Sequence, residues 1–164
     1  MGMEHFTFKK LGVKIGSTEA AIYRYFENKH KLLLFLNSWY WGYLEQNFVF
    51  GTANLTDPFQ KLEIAIKILV NGPIFTQNDF IDPVSLRKLI TDEANKAIMT
   101  KEVDEEYQKG FFNHFNKLSE RIADIILEIN PDFEFPKTLV STVMESSLIQ
   151  RYKIPVHRFF FRLL

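Results

Sequence analysis

No cysteine occurs in the chain, which excludes disulfides, thiolate metal sites and cysteine nucleophiles and permits a cytosolic location. Long apolar runs are missing too: nothing approaches the roughly 18 consecutive apolar residues of a membrane span. The N-terminus lacks an apolar signal core, so a cytoplasmic protein with no membrane attachment is the simplest expectation. Glycines number only 7, and none belongs to a phosphate-cradling loop. The histidines, His5, His30, His114 and His157, share no metal-ligand spacing. Ser141, Ser146 and Ser147 have no histidine close in sequence and no nucleophile-elbow glycines. The run Asp104-Glu105-Glu106 points its carboxylates in different directions on a helix, which reads as a solvated face rather than a ligand cluster. Enzyme, metal and cofactor readings therefore find no support in these residues.

Net charge is also absent, since 20 Lys and Arg balance 20 Asp and Glu. Its distribution is uneven. Residues 1–31 hold Lys9, Lys10, Lys14, Arg24, Lys29 and Lys31 against Glu4, Glu19 and Glu27, six minus three or +3, which leaves −3 for the remainder. A positive head on an acidic body fits phosphate binding at one end, although three charges are few enough to arise by chance. What the chain has in plenty is core material: 46% of its 164 residues are hydrophobic and 17 are Phe. That length suits one core, or a small head on a larger body.

The most informative stretch is Leu11 to Leu32, LGVKIGSTEAAIYRYFENKHKL. Phe8, Leu11 and Ile15 have helical spacing, and Gly16 is the natural residue for leaving a helix through a left-handed conformation. Thr18 can cap a second helix of about Glu19 to Phe26, with Ile22 and Phe26 on one face and Glu19, Ala20, Tyr23 and Arg24 on the other. Asn28 can cap a third. Two short helices joined by a tight glycine turn form the unit that lays its second helix in a DNA major groove.

With Gly16, Thr18, Ile22-Tyr23-Arg24-Tyr25-Phe26, Lys29 and Leu32-Leu33, the chain resembles the TetR/AcrR family of bacterial transcriptional regulators. The resemblance implies an all-α protein: a helix-turn-helix head with its connecting helix over residues 1–48, continuous with a ligand-binding and dimerisation body over 49–164. It also implies that Thr18, Ala20, Ala21, Tyr23, Arg24, Tyr25 and Lys29 face double-stranded operator DNA. The Tyr23 hydroxyl and the Lys29 charge suit phosphate oxygens, as does Thr18 while it caps. Arg24 can reach a guanine edge, and Ala20 and Ala21 permit approach to thymine methyls. For Tyr23 and Tyr25 the competing role is core packing. The chain departs from the family at its start: only six residues precede Thr7, too few for the further helix with which such heads begin. That departure keeps open an alternative, a ligand-binding and dimerising module that does not bind DNA on its own.

The remainder reads as helices throughout, with no alternating period-two run. Lys29 to about Phe48 is apolar nearly all round, which predicts burial on several sides. Asp57-Pro58 and Asp82-Pro83 are start signals, a cap followed by proline. Asn71-Gly72-Pro73 is a stop, and 74–82 a loop. The longest periodic run is Val103 to Ile129, within which Gly110 is either a close-packing point or a bend. Pro136 opens a helix reaching Tyr152. The aromatic residues predict an apolar or aromatic small-molecule effector in a pocket drawing on Trp39, Tyr43, Phe59, Phe80, Phe111 and Phe115, which can equally be plain core. A homodimer is expected through residues 137–164, with Leu139, Val143, Ser147 and Leu148 on the penultimate helix and Phe159 and Phe160 in a short final segment too apolar to leave in water.

Overall fold

The computed structural model describes residues 5–72, 82–98, 106 and 108–149. Among them are seven helices and no strand. Two short ones come first: α1 (Phe8–Ile15) and α2 (Glu19–Tyr23). The long α3 (Lys29–Thr52) follows, then α4 (Pro58–Asn71), α5 (Pro83–Ile98), α6 (Asn113–Ile129) and α7 (Pro136–Ile149). None of the described helices is long and apolar enough to cross a membrane.

Local chemistry explains most of the boundaries. Thr7, Thr18 and Asn28 have extended backbones, and their side-chain oxygens accept from Lys10 N, Ala21 N and Lys31 N, each satisfying a backbone donor that the first turn leaves exposed. Asp57 accepts from Phe59 N ahead of Pro58, and Asp82 from Val84 N and Ser85 N ahead of Pro83. Gly16 leaves α1 at φ 67° and Gly72 ends α4 at φ 81°, both in the region where a Cβ is penalised.

Three expected boundaries move. The second helix ends at Tyr23, three residues before Phe26, and the third continues through Thr52. The periodic run to Ile129 is not one helix. Gly110 adopts φ 81° and residues 109–112 form turns, so α6 starts only at Asn113. Spacing alone cannot see such a break, because the apolar period resumes in phase beyond it.

Every other body helix packs on α3 or on a helix that touches it. α4, α5 and α6 lie directly against α3, and α7 closes the far side against α6 and α5. The core is one cluster, from Leu33, Leu34, Tyr40, Trp41, Leu44 and Phe48 of α3 to Val140, Met144 and Leu148 of α7. The boundary expected at 48/49 falls inside α3. Trp41 stands edge-on to Phe115 at 4.9 Å. The head adds a small core of its own, Phe8, Gly12 and Ile22. Ile15, expected on its inner face, is exposed, and Gly12 takes the buried position. A Cβ on Gly12 would stand 2.8 Å from the Ser17 carbonyl oxygen and 3.3 Å from Glu19 N, so this glycine is what allows α1 to lie against the start of α2.

Candidate functional site

Most of the residues singled out in the head lie on its surface. Ala20, Arg24, Tyr25 and Lys29 are exposed, with Tyr25 at 82%, while Ala21 is half-buried. Thr18 is exposed too, although its hydroxyl is occupied by Ala21 N at 3.1 Å. Tyr23 stands edge-on to Phe8 with ring centroids 4.9 Å apart and stays 52% exposed. Lys9, Lys10, Lys14, Arg24 and Lys29 form the exposed positive set. Lys10 also donates from Nζ to the His5 carbonyl at 2.8 Å.

Lys31 does not belong to that set. Its Nζ donates to Glu106 Oε1 at 2.9 Å, and His30 Nε2 meets the same oxygen at 2.6 Å. Glu106 is fully buried, which overturns the solvated-face reading of this residue; Asp104 and Glu105 lie outside the described residues. Burial would raise the Glu106 carboxyl, but the hydrogen bonds and charges of Lys31 and His30 outweigh it and hold the group below its ordinary value. The first turn of α3, next to Lys29, is thus tied to a residue 75 positions away.

Among the described residues, the aromatic side chains singled out have different surroundings. Trp39 and Tyr43 line an open cleft of about 440 Å³ at the side of α3, together with Gly42, Glu45, Phe50 and His114. Phe111 and Phe115 pack against the core instead. Phe59 is 57% exposed at the start of α4 and does not line the cleft. Phe80 lies outside the described residues. A ladder of ring contacts, Phe26 to Phe35, Phe35 to Trp39 and Trp39 to Tyr43, spaced 5.5 to 5.9 Å, leads from the end of the head to this cleft. Within it His114 Nδ1 lies 2.7 Å from Glu45 Oε2, and Arg121 Nε lies 3.4 Å from Glu45 Oε1. His114 and Arg121 are two turns apart on one face of α6. That spacing is visible in the sequence, but nothing there pairs it with Glu45.

On α7 the inward face is Val140, Met144 and Leu148. Leu148 is therefore committed to the subunit's own core, while Leu139 is exposed and Val143 half-buried beside it. Ser147 is half-buried and its hydroxyl donates to the Met144 carbonyl at 2.7 Å. Phe159 and Phe160 lie outside the described residues. Compared with known protein families, curated proteins and solved structures, the chain matches none.

Proposed function

We propose that this protein is a TetR-like, DNA-binding transcriptional regulator of the cytoplasm, acting as a repressor. In this reading it holds a near-palindromic operator as a homodimer and releases it when a small apolar molecule binds the body. The observation that carries the proposal is the head: two short helices, each capped by a threonine, turn tightly at a left-handed Gly16 and present Ala20, Tyr23, Arg24, Tyr25 and Lys29 to solvent. Lys29 at the start of the long α3 and the Tyr23 hydroxyl would hold phosphates, and Arg24 would read a base edge. No catalytic step is assigned to any residue. The test is selection from a random duplex library by the intact chain. Enrichment of a two-fold related sequence, with affinity falling steeply as salt rises, is the expected result. Failure to enrich any sequence rejects it.

A second reading is favoured by the modest core of the head. α1 and α2 bury only Phe8, Gly12 and Ile22, and leave Val13 81% exposed with Ile15 beside it in solvent. The chain would then bind ligand and dimerise without engaging DNA alone. A dimer that binds ligand but enriches no duplex supports this reading over the first.

A further inference from the structure

Gly42 sits in the middle of α3, a 24-residue helix in which glycine costs about 1 kcal/mol relative to alanine. The structure supplies a reason for it. The ring of His114 lies against Gly42, and a Cβ there would meet Cδ2 at 3.3 Å and Cγ at 3.5 Å. The glycine lets the imidazole lie close against α3 at the cleft, and Glu45 then holds it from the side through Nδ1 at 2.7 Å. The ionised Glu45 carboxylate can only accept, so Nδ1 donates to it, and in the neutral ring Nε2 is then the nitrogen that carries the lone pair. Among the described residues Nε2 has no hydrogen-bond partner. Trp39, Tyr43 and Phe50 supply aromatic walls around this acceptor, and the volume of about 440 Å³ falls within the range of small-molecule sites.

From this arrangement we propose that the cleft between α3 and α6 binds a flat aromatic molecule carrying one hydroxyl or amine donor. Its rings lie against Trp39, Tyr43 and Phe50, and its donor bonds to His114 Nε2. The aromatic walls select a planar apolar body, and the oriented acceptor selects a donor at its edge. This inference names the site and chemical class for the effector part of the proposed function, and it is independent of the DNA part.

The test uses 2-naphthol and 2-methoxynaphthalene, which share the ring system but differ in the donor. Binding to the intact chain, without DNA, is measured by calorimetry at about pH 8, below the ordinary range of a phenolic hydroxyl. Saturable binding of 2-naphthol is expected, with the methoxy compound about tenfold weaker, the order one net hydrogen bond supplies. His114→Phe should abolish that difference while keeping residual binding of both. Trp39→Ala, at an exposed position, should weaken both. Equal affinity of the two compounds for the unaltered chain, or no saturable binding of either, overturns the proposal without reference to any variant. A difference that persists in His114→Phe also overturns it. Because no DNA is present, none of these outcomes bears on whether the head binds an operator.

Discussion

His30 Nε2 lies 2.6 Å from Glu106 Oε1, joining the first turn of α3 to a fully buried carboxylate 76 positions away. Lys31 Nζ completes the arrangement at 2.9 Å from the same oxygen. A buried carboxylate is costly unless charged donors surround it, so the pair fixes where the start of α3 sits relative to the rest of the body. The exposed Lys29 is the immediate neighbour of His30, and its position depends on this attachment.

Glu106→Gln should therefore destabilise the protein by about 1–3 kcal/mol, since the neutral amide loses the charge-assisted part of both hydrogen bonds. The effect has a defined pH dependence. Burial pushes the carboxyl up, while Lys31 and His30 pull it down by more, so its folded value lies below the ordinary 4.5. A depressed carboxyl contributes stability that is fully present above the unfolded value and lost as pH falls through the folded one. Urea midpoints of the two proteins should differ most near neutral pH and converge below about pH 4.5. A gap that widens on acidification would contradict the pairing.

Gly12→Ala and Gly16→Ala should separate two kinds of glycine requirement. At Gly12 a Cβ meets backbone atoms of Ser17 and Glu19, which cannot move without parting α1 from α2. At Gly16 there is nothing within 4 Å, and the cost is the left-handed φ of 67°, about 1–2 kcal/mol. Hydrogen exchange should show protection lost across residues 8–23 in Gly12→Ala and only reduced in Gly16→Ala, with the body unaffected in both. Equal effects would remove the close-approach role of Gly12.

If the head binds DNA as proposed, Lys29→Ala should weaken all duplexes alike and reduce the salt slope by about 1. Arg24→Ala should instead relax preference at one base position. Fluorescence anisotropy across a salt series, on the selected sequence and its single-base variants, measures both. The reverse pattern would exchange the two roles.

Leu139→Glu tests the dimer. The residue is exposed on α7 beside Val143, so a charge there should leave the fold within about 0.5 kcal/mol of the original while disfavouring an apolar interface. Sedimentation velocity at tens of micromolar should show a dimer for the original chain and a monomer for the variant. A monomer in both cases would mean that α7 does not mediate dimerisation.

The helical class, the capped starts at Thr18, Asn28, Asp57 and Asp82, the left-handed exit at Gly16 and the stop at Gly72 were legible in the sequence by itself. Each depends on one residue acting on backbone groups within four positions, so a local pattern carries the whole cause. The exposure of Ala20 and Arg24 was legible for the same reason, since the spacing sets them opposite Ile22 on the second helix, whereas that of Tyr25, open to core packing in the sequence, was not. Tertiary packing alone decided the rest. Gly110 breaks a run whose apolar spacing continues across it. Leu148 turns into the core while Leu139 is exposed, because the described helices α4, α5 and α6 pack against the face of α7 that carries Val140, Met144 and Leu148. Glu106 looks like any surface acid until His30 and Lys31 are brought to it, and His114 gains a fixed tautomer only from Glu45, 69 positions earlier. The free energy of a buried charge or an oriented imidazole depends on partners that chain folding, not sequence proximity, brings within 3 Å, so no reading of neighbouring residues could have contained it.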